Sequence, residues 1–153
     1  MLVTRTAAVR DAALIASHRV AMFREMTNST GASLDIMSRN FLPWVKARLA
    51  GGVYLGWITE DDGHPVASTG LFLMDWPPHY LDPEGALRGY LLNVYVDPAC
   101  RGRGLAKALT RTAMDECARR NIRILSLHAS DAGRPVYDRL GFIPGNEMQW
   151  RRP

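Results

Sequence analysis

Residues 87–106 limit the possible folds of this chain more than any other part of its sequence. Residues 87–96, LRGYLLNVYV, have the composition of a buried strand, and Asp97-Pro98 ends it. Two glycines follow within RGRGLA at 101–106, and an amphipathic helix is predicted over Leu105–Arg120. A strand that passes through a glycine turn directly into a helix indicates a fold that mixes strands and helices around one sheet.

The other segments also alternate between strand and helix patterns. Besides the central strand, four strands are predicted, at 2–6, 53–59, 65–73 and 123–129. Phe142 with Met148–Arg151 is predicted to form a last strand. Three further helices are predicted at 11–26, 33–49 and 134–140. The order β-α-α-β-β-β-α-β-α-β indicates a single α/β (α+β) domain that spans residues 1–153.

Local signals mark several boundaries of these elements. Asp11 is expected to be the N-cap of the first helix, and the polar stretch Asn28–Gly31 to end it. Pro43 is expected to break or kink the second helix. Asp62-Gly63 predicts a tight hairpin between the second and third strands.

The composition is that of a globular protein, with 47% hydrophobic and 22% charged residues. No apolar run is long enough to cross a membrane, and no leader pattern opens the chain, so a cytoplasmic protein is expected. Cys100 and Cys117 are too few for a disulfide framework and too far apart for a metal site, so no metal is expected.

The net charge of +4 is concentrated in one segment. Residues 99–123 hold seven basic and two acidic residues, whereas the rest of the chain holds 12 basic and 13 acidic residues. Such a segment indicates a polyanionic ligand, either a phosphorylated cofactor or a nucleic acid. A solvated helix face is the structural alternative.

The glycine turn at 101–106 has the features of an anion site. Gly102 and Gly104 allow backbone N–H groups to converge, and the start of the following helix adds partial positive charge. The segment lacks the Gly-Lys-Ser/Thr ending of a Walker loop and the glycine spacing of the dinucleotide fingerprint.

This turn resembles the acyl-CoA loop of the GNAT acetyltransferase superfamily, Arg/Gln-x-x-Gly-x-Gly/Ala, at Arg101, Gly104 and Ala106. A second family signature, Tyr-x-x-Leu-Gly-Phe, is matched by Tyr137–Phe142. The resemblance implies the GNAT fold, a central twisted, mostly antiparallel mixed sheet of six to seven strands flanked by about four helices.

The resemblance also implies a function and a site. The expected reaction moves an acetyl group from acetyl-CoA, the cosubstrate, directly to a primary amine of a small molecule or peptide in a ternary complex. Tyr137 matches the usual general acid, and no metal is involved. The expected cofactor-binding residues are Val94, Tyr95, Val96, Arg101, Gly102, Arg103, Gly104, Leu105, Ala106, Ser130 and Tyr137.

The sequence departs from the family pattern at two places. Ser130 stands where many members carry Asn, and its shorter side chain weakens the expected cofactor contact. The central strand carries no carboxylate at Arg88–Asn93, where many members have a glutamate base, so the general base is unknown. His128 is titratable, but a single histidine in a strand is more often a packed residue, so it is not assigned as the base. Candidate aromatic residues for an acceptor pocket are Phe23, Trp57, Trp76 and Tyr95.

Two other functions remain open at this point. The missing carboxylate favours a non-catalytic acyl-CoA-binding sensor or interaction module, whereas Tyr137 favours the enzyme. A nucleic-acid-binding domain ranks last, because the basic helix has no interleaved aromatic residues, and no nucleic-acid or membrane partner is expected. The resemblance is compatible with a homodimer.

Overall fold

The computed structural model describes residues 1–27 and 31–153. Within this part of the chain it contains five strands, four α-helices and two short 3₁₀ turns at Val9–Asp11 and Pro98–Cys100. The strands and helices are β1 (Leu2–Thr6), α1 (Ala12–Thr27), α2 (Ala32–Ala50), β2 (Tyr54–Asp61), β3 (His64–Asp75), β4 (Leu87–Val96), α3 (Leu105–Arg119), β5 (Leu125–Leu127) and α4 (Arg134–Arg139).

The five strands form one sheet in the order β1-β2-β3-β4-β5. The pairs β1–β2, β2–β3 and β3–β4 are antiparallel, and the pair β4–β5 is parallel. The α/β class and the mostly antiparallel mixed sheet are therefore confirmed, and so is the number of helices.

The predicted strand count of six to seven is too high. In the described part of the chain, β5 covers three residues instead of 123–129, and Phe142 and Met148–Arg151 form no strand. Met148 and Trp150 are largely exposed, at 91% and 83%. So short a β5 offers little edge for another strand.

The helices cover the two faces of the sheet. On one face α1 and α2 pack against β2 through a cluster that includes Ile15, Phe41, Val45 and Tyr54. On the other face α3, α4 and the segment after α3 bury residues against Leu71 and Leu91: Ala113 and Cys117 from α3, Tyr137 from α4, and Ile122. Successive residues of a strand point to opposite faces, so β3 and β4 contribute to both layers.

The turn between β2 and β3 agrees with its sequence signal. Asp62 and Gly63 both have positive φ, 48° and 81°, as a type I′ hairpin requires. Asp11 precedes α1 as predicted, but its carboxylate accepts from the Ala8 N–H at 2.8 Å and binds Arg5 through both oxygens at 2.9 Å.

Pro43 was expected to break or kink α2, and the break is wrong, because α2 continues through this residue to Ala50; a kink stays a prediction. Packing of the helix through Phe41 and Val45 on either side of Pro43 compensates for the lost backbone hydrogen bond. Most of the polar stretch predicted to separate α1 from α2, Asn28–Thr30, lies outside the described residues. None of the described helices is long and apolar enough to cross a membrane.

Candidate functional site

The site begins where β4 and β5 separate. The two strands pair only from Gly89 with Leu125 to Leu91 with Leu127. Strand β4 continues to Val96, so in the described part of the chain its Leu92–Val96 edge has no strand beside it on that side. An unpaired edge presents backbone N–H and C=O groups that an extended ligand can bind.

A β-bulge distorts β4 at the point of separation. Ser68 pairs with Tyr95 and Gly70 with Leu92, so Thr69 lies opposite two residues, Asn93 and Val94. Asn93 has φ +56°, a left-handed conformation that asparagine tolerates better than most residues. The bulge reorients the peptide groups of this stretch and bends the strand.

The buried Tyr54 and the partly buried Arg19 hold Asn93 in place. Its Nδ2 donates to the Tyr54 hydroxyl at 2.9 Å, and its Oδ1 accepts from Arg19 Nη1 at 2.6 Å. Burial raises the pKa of Tyr54 to about 12, so its phenol stays protonated at neutral pH. The bulge is therefore fixed by hydrogen bonds from β2 and from α1.

A second contact between α1 and β4 involves His18, the residue before Arg19. The buried His18 places Nδ1 2.7 Å from Ser68 Oγ and stacks on the Tyr95 ring, with ring centroids 4.3 Å apart. Burial lowers the pKa of His18 to about 4, and nearby Asp97 only partly opposes this. The imidazole is therefore neutral at physiological pH and packs the end of β4 against α1.

The turn after β4 presents main-chain groups at the start of α3, where the sequence predicts an anion site. Asp97 caps it by accepting from the Ala99 N–H at 2.8 Å. Gly102 and Gly104 both have φ +75°, and a Cβ built on either would meet nothing within 4 Å. Ala108 N–H donates to Gly104 O at 3.0 Å, so the α3 amides before it have no intrahelical acceptor and point out of the helix start.

The two arginines of this turn bind carboxylates from other elements. Arg101 Nη2 lies 2.6 Å from Glu25 Oε2, and Arg103 Nη1 lies 2.9 Å from Asp61 Oδ2. Hydrogen bonding to Arg103 lowers the pKa of Asp61. The free positive charge beside the turn therefore comes from the helix start and from Lys107 and Arg111, exposed on α3 with no carboxylate within 4 Å among the described residues.

Tyr137 lies on α4, on the same face of the sheet as α3. It is buried and packs edge-on against Phe142, with ring centroids 5.8 Å apart. Burial raises the pKa of its phenol. The Ser130 hydroxyl accepts from the Gly133 N–H at 3.0 Å and so supports the turn that leads into α4.

A groove of about 530 Å³ opens on the opposite face, between α1, α2 and the separating strands. Its walls are mainly apolar, and its polar lining residues are Arg19, Asn40, Tyr90 and His128; the apolar ones are Met37, Phe41, Trp44, Phe72, Met74 and Leu92.

Sequence reasoning missed most of this groove. The aromatic candidates lie elsewhere: Trp57 packs in the core, Trp76 stacks under Arg88, and Tyr95 stacks on His18. Phe23 contacts Arg19. Met37, Phe41 and Trp44 have the spacing of one apolar face of α2, but the same spacing is typical of residues that pack in the core.

His128 is exposed and lies at the edge of the groove, so the reading of it as a packed strand residue is wrong. Its Nε2 lies 2.7 Å from Gln149 Nε2, and its ring is 5.6 Å from that of Tyr90. No further strand of the described residues pairs with the chain here, so the residue after Leu127 is left open to solvent.

Comparisons with known proteins identify the family. The model of the Acetyltransferase (GNAT) family matches residues 20–142. Mycothiol acetyltransferase of Mycobacteroides abscessus is 30% identical over 111 residues, 71% of this chain and 33% of that protein. The chain thus spans about a third of the length of this curated relative.

Two solved structures have the same fold over nearly the whole chain. A GCN5-related N-acetyltransferase from Ralstonia eutropha JMP134 is 41% identical with a TM-score of 0.95, and 99% of each chain is covered. A predicted acetyltransferase from Clostridium acetobutylicum, solved with acetyl-CoA, is 27% identical with a TM-score of 0.90, covering 99% of this chain and 96% of that one.

The chain belongs to the GNAT acetyltransferase family. It is an acyltransferase, and the family uses acetyl-CoA as its cosubstrate.

Proposed function

We propose that this enzyme transfers an acetyl group from acetyl-CoA directly to a primary amine of a small molecule or peptide. The observation that carries the proposal is the open Leu92–Val96 edge of β4, which joins an amide-lined turn at one end and borders an apolar groove. One site can then hold a long phosphorylated thioester and a second substrate at the same time.

The residues fit acetyl-CoA along the whole of this edge. Consecutive strand residues turn their backbone groups to opposite edges, so part of the Val94, Tyr95 and Val96 backbone faces the open edge and is available to the amide groups of the pantetheine arm. The amides of 101–106, with the N-terminus of α3, provide the partial positive charge for the pyrophosphate. Lys107 and Arg111 lie on the exposed side of α3 for the remaining phosphate, and Arg101 and Arg103 support the turn through Glu25 and Asp61.

The transfer step uses two groups of the protein. Acetyl-CoA supplies the acetyl group as a thioester, so a C–N bond forms as the C–S bond breaks. A backbone N–H of the bulge near Val94 stabilises negative charge on the carbonyl oxygen. Tyr137, whose phenol keeps its proton because it is buried, donates that proton to the departing sulfur.

The amine enters from the groove and is favoured there in its neutral form, because apolar walls disfavour an ammonium ion. Its proton passes to water. The lining of the groove contains no carboxylate, and the Nε2 atom of His128 already lies beside the Gln149 amide.

Thiol release from acetyl-CoA tests the function directly. We expect release to depend on both the protein and a primary amine, with the N-acetylated amine identified by mass spectrometry. Tight binding of acetyl-CoA without turnover on a broad panel of amines would support the non-catalytic acyl-CoA-binding module instead.

A further inference from the structure

The acceptor groove carries a permanent positive charge and no matching negative one. Of its ten lining residues, Arg19 is the one that is charged at all physiological pH values, and none is Asp or Glu. Most of the remaining lining is aromatic or thioether. An acceptor that complements this groove has an apolar body and one anionic group.

Arg19 is held rigidly but is not neutralised. Its guanidinium lies 4.8 Å from the ring centroids of both Phe23 and Phe41, and its Nη1 donates to Asn93 Oδ1. Its Nε is buried and has no hydrogen-bond partner in the described part of the chain. No described carboxylate lies within 4 Å of it, and residues 28–30 are Asn, Ser and Thr.

Several other arginines have a carboxylate partner. Arg5, Arg101 and Arg103 each bind a carboxylate directly. A partly buried guanidinium without an anion gains strongly from one, because its planar fork matches a carboxylate in geometry and charge. Burial also lowers the pKa of Arg19, as expected for a cation that lacks such a partner.

We propose that Arg19 binds the carboxylate of the acceptor, which is an apolar amino acid or a similar small molecule carrying a carboxylate close to its primary amine. This proposal rests on the proposed function.

The position of Arg19 explains why the two groups must be close. Arg19 contacts Asn93, the residue of the bulge at which the acetyl group is delivered. A carboxylate on Arg19 therefore leaves an amine on the same or the next carbon near the bulge. A polyamine would place a second ammonium beside the guanidinium, and like charges at this distance repel each other.

Matched acceptors test the proposal on the wild-type enzyme. Thiol release is measured with phenylalanine, leucine and methionine, with the amide of each, and with spermidine. After correction for the neutral fraction of each amine, we expect kcat/KM to be at least about tenfold higher for the best acid than for its amide, with spermidine poorest. A tenfold preference corresponds to about 1.4 kcal/mol of differential binding.

Arg19→Met should abolish the preference between acid and amide while the amide is still acetylated. The ratio of the two kcat/KM values within one variant is the readout, because loss of the Asn93 contact lowers both activities together. Arg88→Met is the matched control: Arg88 also stacks on an aromatic ring and has a buried, unpartnered Nε, but it does not line the groove. Its ratio should equal that of the wild type.

Thiol release with the amides or spermidine preferred over the acids overturns this proposal alone. Retention of the acid preference in Arg19→Met also overturns it. Absence of thiol release with every amine overturns both this proposal and the proposed function.

Discussion

The buried His18 makes the stability of this protein depend on pH in a specific window. Only 8% of the residue is exposed, and burial lowers the pKa of its imidazole from 6.5 to about 4. In the unfolded chain the imidazole regains its ordinary pKa. Between these two pKa values the unfolded state binds a proton at this site that the native state does not.

Stability therefore falls as the pH drops below about 6.5 and stops falling from this cause below about pH 4. Between pH 7.5 and pH 5 the two pKa values give a loss of about 2 kcal/mol, at about 1.4 kcal/mol per pKa unit. Carboxylates such as Asp11, whose pKa is lowered by Arg5, act mainly at lower pH, because an unfolded aspartate is already ionised at pH 5.

Urea unfolding at pH 7.5 and pH 5 measures this loss in the wild type and in His18→Gln. The glutamine retains an amide that can hydrogen-bond Ser68 but does not titrate. We expect the wild type to lose about 2 kcal/mol more than the variant. His64→Gln, at an exposed histidine of the β2–β3 hairpin, should behave like the wild type. Equal losses in wild type and His18→Gln would refute the reasoning.

Three further substitutions, one of them with a matched control, test the parts of the site. Tyr137→Phe should lower kcat about 100-fold with the melting temperature nearly unchanged, measured by thiol release and thermal unfolding; full turnover would exclude the general-acid role. Tyr54→Phe leaves the buried Asn93 amide without its acceptor and should cost about 1–3 kcal/mol in urea unfolding and raise KM for acetyl-CoA, whereas wild-type values would contradict the role given to the bulge. Gly104→Ala and Gly63→Ala each force alanine into a positive φ in open space and should cost about 1 kcal/mol, but calorimetry should show about tenfold weaker acetyl-CoA binding only for Gly104→Ala.

Sequence patterns predicted the elements that short-range rules determine. The Asp62-Gly63 hairpin, the end of β4 at Asp97-Pro98 and the helix that follows Gly104 all depend on the conformational preferences of a few adjacent residues. The amide-lined turn was predictable for the same reason, since its glycines and the helix start are contiguous in the chain.

Features that depend on distant contacts were not predictable. The groove joins residues of α1 and α2 to residues of β3 and β4, and nothing local distinguishes Phe41 or Phe72 from core residues. The bulge at Asn93 could not be predicted, because it depends on hydrogen bonds from the distant residues Tyr54 and Arg19 to the Asn93 side chain. The last predicted strand failed because the sequence does not reveal that β5 ends after Leu127.

The central claim is that one open strand edge and the turn that follows it hold acetyl-CoA. Amide chemical shifts followed by NMR during titration with acetyl-CoA test it residue by residue. We predict that the largest changes fall on Asn93–Val96 and Gly102–Lys107, while the amide of Gly63 in the distant hairpin does not move. Changes confined to other surfaces, with these two stretches unaffected, would contradict the account.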